Sequence, residues 1–158
     1  MAVSVFHVGA REFGLLTSSM AVGSVTGALL AAGREKPRMG LLVGSALAFG
    51  VTLTTAAVMP SYRLFAVALF FVGLSTQTFT TTAHSAAQLW SDPILRGRVI
   101  ALVLAVSAGS TPLGAPLIGK IANSLGPRWS LVVGASSGFL AAAVGVFALL
   151  RQRRRAAD

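Results

Sequence analysis

The sequence predicts an all-α fold, a polytopic membrane bundle of five transmembrane helices, and three observations carry that expectation. Five long apolar stretches fill almost all of the 158 residues, and the few charged residues, 11% of the total, gather in the short segments between them. Each stretch reaches the ~20 residues that an α-helix needs to cross ~30 Å of hydrocarbon at ~1.5 Å per residue. Over most of their length the stretches also lack the polar stripe, repeating every three to four residues, that marks a soluble amphipathic helix. With 54% hydrophobic residues, the bilayer is the solvent against which this chain folds.

Residues 1–12 read as a lead-in loop ending in Arg11 and Glu12, and residues 13–150 as a five-helix transmembrane domain. Met1 to Ala10 has neither the basic start nor the apolar core of a secretory signal. The first span, Phe13 to Ala32, carries Thr17, Ser18, Ser19, Ser24 and Thr26 together with Gly23 and Gly27. A hinge from Gly33 to Arg38 breaks the helix with Gly and Pro before the second span, Met39 to Met59. Pro60, Ser61 and Tyr62 make a tight turn, with Tyr62 as an interfacial aromatic. The third span, Leu64 to Trp90, is the longest and most polar, and Ser91-Asp92-Pro93 ends it. The fourth, Val99 to Ala122, holds Pro112 and Pro116. A turn on Gly126 and Pro127 leads into the fifth, Trp129 to Leu150, and residues 151–158 form a basic tail. Because every connection is short, consecutive helices are expected to be antiparallel neighbours in one domain.

Charge placement orients the bundle. Since spans alternate in direction, their flanks fall into two sets. Arg34, Lys36, Arg38, Arg96, Arg98, Arg151, Arg153, Arg154 and Arg155 lie on one side, nine in all, against Arg11, Arg63, Lys120 and Arg128, four, on the other. Cytoplasmic flanks are enriched in Lys and Arg, so the expected topology has the C-terminus in the cytoplasm and the lead-in loop outside, in a plasma (inner) membrane. The net charge of +9 resides in these loop anchors. The run Arg151 to Arg155 directly follows a span, which points to anionic headgroups and away from nucleic acid. The absence of cysteine excludes disulfides, thiol nucleophiles and Cys metal sites.

The chemistry-bearing residues concentrate in the third span, where Gln77, Thr81, His84 and Gln88 are spaced four, three and four apart. At ~100° per residue they fall within about 60° of one another, while Phe79, Ala86 and Trp90 lie opposite. A membrane helix with one polar face turns it to a bundle interior or an aqueous pathway. The bland alternative is hydrogen bonding to neighbouring helices. In the fourth span Pro112 and Pro116 each remove a helical donor and bend the helix, as happens where backbone lines a cavity or a helix rocks, although proline is also simply more frequent in membrane helices. All four acids, Glu12, Glu35, Asp92 and Asp158, sit in flanks or loops, and neither His7 nor His84 has an Asp or Cys partner nearby in sequence. An enzyme, a metal site and a cofactor therefore find no support. GxxxG pairs occur at Gly23/Gly27, Gly40/Gly44 and Gly134/Gly138, and close packing within one bundle accounts for them as well as a dimer face does.

At the end of the third span the run Ala87-Gln88-Leu89-Trp90-Ser91-Asp92-Pro93, followed by Arg96-Gly97-Arg98-Val99, resembles a major facilitator superfamily permease. Phe13-Gly14-Leu15-Leu16 with the small residues to Gly27, and Pro112-Leu113-Gly114 with Gly119 and Gly126, extend the likeness over residues 5–150. Within the superfamily it is most similar to the bacterial drug and siderophore exporter branch, of the enterobactin exporter and transmembrane secretion effector type. Two positions depart from the pattern. Gly33 to Gly40 copies the charged loop signature poorly, and His84 stands where the branch often has Asn. The resemblance implies the last five helices of a twelve-helix permease, and hence a need for an N-terminal transporter half. It implies efflux of a small-molecule substrate by alternating access, with Gln77, Thr81, His84 and Gln88 on the pathway. Arg96, Gly97, Arg98, Pro112 and Pro116 are then hinge or gating candidates, and no cofactor is implied. The alternative is a non-transporting membrane remnant or helix-packing module.

Overall fold

A computed structural model describes residues 9–33 and 38–155. Among them the chain forms five helices and no strand: α1 (Ala10–Ala32), α2 (Met39–Val58), α3 (Tyr62–Trp90), α4 (Arg96–Ser124) and α5 (Pro127–Arg155). All five are long and apolar enough to cross a membrane, so the chain is a helical membrane bundle, as its sequence leads one to expect.

Local chemistry sets the helix ends. Glu12 lies in the first turn of α1, where a negative charge complements the exposed N–H groups, and the helix opens at Ala10, three residues before the expected span. Residues 1–8 of the expected lead-in loop and residues 34–37 of the hinge lie outside the described residues. Ser61 caps α3, its hydroxyl accepting from the Leu64 N–H at 3.4 Å. After Trp90 the Asp92 carboxylate accepts from the Ile94 N–H at 2.9 Å, a side-chain turn that redirects the chain into α4. Gly126 has φ +95°, a conformation that favours glycine, and Pro127 then starts α5, where its missing N–H costs no helical bond. The basic residues that follow Leu150 extend α5 through Arg155.

Packing departs from the expected order at one place. α1 does not lie beside α2; it runs parallel to α3, with Ser19 against Ala66, Gly23 against Phe70 and Gly27 against Leu74. Glycine explains the choice. A Cβ on Gly23 would lie 2.0 Å from the Phe70 carbonyl oxygen, and one on Gly73 would lie 2.2 Å from that of Met20, so the two backbones touch where side chains would hold them apart. α2 packs antiparallel on the far side of α3, through Leu53, Ala56, Phe65, Ala68 and Val72, and α5 packs antiparallel on α2, with Gly138 against Phe49 and Gly145 against Val43. The bundle thus runs α1, α3, α2, α5. Two of the three GxxxG pairs, Gly23/Gly27 and Gly134/Gly138, are consumed inside it, whereas Gly40 and Gly44 have no neighbour within 4 Å of an added Cβ. Since lipid tails are as apolar as Leu, this close van der Waals fit, more than removal of apolar surface from water, holds the helices together.

α4 stands apart. It touches α3 near their connection and α5 along their hairpin, and none of its described side chains is buried. Pro112 and Pro116 sit within a continuous helix.

Candidate functional site

α3 carries polar side chains in two unlike situations. Ser75, Thr76, Thr78, Thr80 and Thr82 each donate a hydroxyl hydrogen bond to the carbonyl four residues earlier, at 2.7 to 2.9 Å. Bonded in this way, Ser75, Thr78 and Thr82 are buried without an unmet donor. Gln77, Thr81, His84 and Gln88 behave differently. Among the described residues their side chains make no hydrogen bond, although Gln77, Thr81 and His84 are half-buried and only Gln88 is exposed. No buried side-chain nitrogen or oxygen among the described residues is left unpartnered, so the polar atoms of these side chains open to the outside of the bundle.

Helix geometry explains that exposure. Projected at ~100° per residue, the four stripe residues share an azimuth with Ala66, Phe70 and Gly73, whereas Phe79 and Ala86 fall on the side of Ala68 and Val72. The first azimuth is the α1 contact and the second the α2 contact. The constant offset between the paired residues of α1 and α3 brings α1 to its end at about the level of Phe79. Gln77 lies beside the last turn of α1, and Thr81, His84 and Gln88 lie beyond its end. Beyond that level α4 approaches, and His84, Ala87 and Gln88 face Ile100, Val103 and Leu104 across a cavity of about 200 Å³. Two of the four stripe residues are thus brought together with α4; Gln77 and Thr81 do not line this cavity.

The opposing wall of Ile100, Val103 and Leu104 escaped the sequence reading, although apolar residues spaced three and four apart are the available signal. A second groove, of about 240 Å³, was also missed. It lies between α2, α3 and α5, lined by Ala46, Phe49, Thr76, Phe79, Ser137 and Gly138. Both hydroxyls there already donate, Thr76 to Val72 and Ser137 to Gly134, which leaves an apolar surface. Phe79, expected opposite the stripe, is there and half-buried. The hinge candidates Arg96, Gly97 and Arg98 are exposed at the start of α4, and Pro112 and Pro116 are exposed along it, so none of them adjoins the His84 cavity. Among the described residues no three His, Cys, Asp or Glu side chains gather as a metal site would require.

Comparison with known proteins adds one positive result. The family model described as Major Facilitator Superfamily matches residues 1–158. No curated protein and no solved structure matches the chain. Five membrane-spanning helices, a polar stripe opening from α3 and a family match over the full sequence agree: the chain belongs to the major facilitator superfamily of transporters.

Proposed function

We propose that this chain is the C-terminal portion of a secondary transporter that exports a small molecule, drug-like or siderophore-like, by alternating access between two helical halves. The observation that carries the reading is the unbonded stripe of α3. Gln77, Thr81 and His84 are half-buried, reach no partner in their own bundle and keep their polar atoms accessible. Polar groups at membrane depth need a partner or water, and a pathway between two halves supplies one. Gln77, Thr81, His84 and Gln88 are the residues that contact substrate or its water. An N-terminal half provides the opposite wall, and α4, bare along its length and interrupted by two prolines, is the helix that moves against it. The nine-to-four distribution of Lys and Arg supports a cytoplasmic C-terminus and a plasma-membrane location.

The natural absence of cysteine makes the test direct. Single Cys replacements at positions 77, 81, 84 and 88, in a chain joined by an N-terminal half, react with a membrane-impermeant thiol reagent, and substrate slows the reaction. Replacements at 79 and 86 on the α2 side react poorly. Equal labelling of both sets overturns the pathway assignment. In liposomes the chain alone shows no saturable movement of lipophilic dyes or siderophores, and the joined halves do. Saturable transport by the chain alone would instead make it a self-sufficient transporter.

A further inference from the structure

One end of the bundle gathers guanidinium groups that make no ion pair among the described residues. The alternating helix directions place Arg38 at the start of α2, Arg96 and Arg98 at the start of α4, and Arg151 and Arg154 in the last turns of α5, all at the same end. All five are exposed, and none makes an ion pair among the described residues. Asp92, the one carboxylate described at that end, is engaged with the Ile94 N–H. Glu35 and Asp158 belong to the same flanks by sequence and lie outside the described residues.

Two details say what such a surface meets. The Arg151 guanidinium carbon lies 4.5 Å from the centre of the Phe147 ring, one turn earlier on α5, so this cation is fixed where the apolar part of the helix ends. Trp90, at the end of α3, is exposed at the same end of the bundle, and an exposed indole there marks the depth of the headgroups. A planar guanidinium at that depth matches a phosphate oxygen pair in geometry and charge. α2 and α5 pack on each other at this end, with Val43 against Gly145, which brings Arg38 and Arg151 to the edge of one helix pair.

We propose that this end of the bundle is a binding surface for anionic phospholipid, with Arg38, Arg151 and Arg154 holding the headgroup phosphate at the α2·α5 edge and Arg96 and Arg98 extending the surface across α4. The opposite end carries Arg11, Arg63, Lys120 and Arg128, four basic residues against the nine of the flanks at this end, and concentrates anionic lipid less. The inference stands on charge and position and does not depend on what the protein transports.

The two tryptophans supply the test, since Trp90 lies at the basic end, Trp129 at the other, and the sequence holds no further Trp. The chain is reconstituted in phosphatidylcholine vesicles containing a minor fraction of phosphatidylglycerol, with bromine placed on the tails of one lipid or the other. In the W129F variant, brominated phosphatidylglycerol quenches Trp90 about twofold or more beyond an equal fraction of brominated phosphatidylcholine at low salt. The preference shrinks toward ~1 M salt, where the Debye length falls to ~3 Å. In the W90F variant Trp129 shows a smaller preference. Arg151→Gln with Arg154→Gln, exposed positions at which folding is not at stake, reduces the Trp90 preference, and adding Arg38→Gln reduces it further. Equal quenching of Trp90 by the two lipids overturns the proposal, as does a preference that the Gln variants leave unchanged. Loss of the preference on adding inorganic phosphate at matched ionic strength identifies a free-anion site and overturns the lipid assignment.

Discussion

The α1·α3 pair and α4 are built from similar residues and end in opposite situations. α1 presents Gly23 and Gly27 and α3 presents Gly73, each within 3 Å of the other helix's backbone once a Cβ is added. α4 presents Gly109, Gly114 and Gly119, and around an added Cβ at each of them there is nothing within 4 Å. Leu102 on α4 is 65% exposed and Leu117 63%, against 3% for Leu16 on α1. The difference teaches that small residues permit close approach but do not cause it. They act only where a second helix offers a matching backbone groove, and α3 offers one to α1 while no described helix offers one to α4.

The sharpest attempt to break this comparison adds volume at the tight contact. Gly73→Leu places side-chain atoms where the Met20 carbonyl oxygen already stands, 2.2 Å from the Cβ position, and is expected to destabilise the bundle by about 3 kcal/mol, read by unfolding in detergent micelles. Retention of full stability would mean that α1 and α3 are not packed through their glycines. A smaller loss follows from Ser19→Ala, which removes a hydroxyl donating to the Ala66 carbonyl at 2.7 Å between the same helices. About 0.6 kcal/mol is expected in the same assay, and a loss no larger than at an exposed α1 serine such as Ser18 would show that the bond adds nothing. The smallest loss belongs to α4. Gly114→Ala meets no neighbour and improves helix propensity, so no destabilisation is expected, only a gain of up to about 1 kcal/mol. A large loss there would show that α4 has a tight partner within the chain after all.

Much of the fold was legible because the hydrocarbon imposes its own length and composition. An interior free of charge over ~20 residues has few ways to exist other than as a spanning helix, so the existence of all five helices followed from the sequence. The Gly126-Pro127 turn and the stop after Trp90 were equally readable, since each rests on the stereochemistry of a few adjacent residues. Neighbour relations were less so. Short connections suggested that α1 lies beside α2, but a connection limits distance only at one end, whereas Gly23, Gly27 and Gly73 act along whole helices and set α1 on α3.

The candidate site divides in the same way. Periodicity by itself placed Gln77, Thr81, His84 and Gln88 on one face of α3 and Phe79 and Ala86 on another, because the angle between residues on a helix is a property of the backbone. What covers each face is not. The hydroxyls of Ser75, Thr78 and Thr82 look as polar in sequence as Thr81, yet they turn back to their own carbonyls and are buried. The sequence alone determined the solvent, the helices, the polar stripe and the uneven distribution of Arg between the two ends, all of which depend on residues close together in the chain. Only the tertiary structure decided that α1 stops short of Thr81, His84 and Gln88, that Ile100, Val103 and Leu104 face His84, and that α4 keeps its surface bare. Those outcomes depend on which backbones fit against each other at close range, and such fits between distant segments are written in no local pattern.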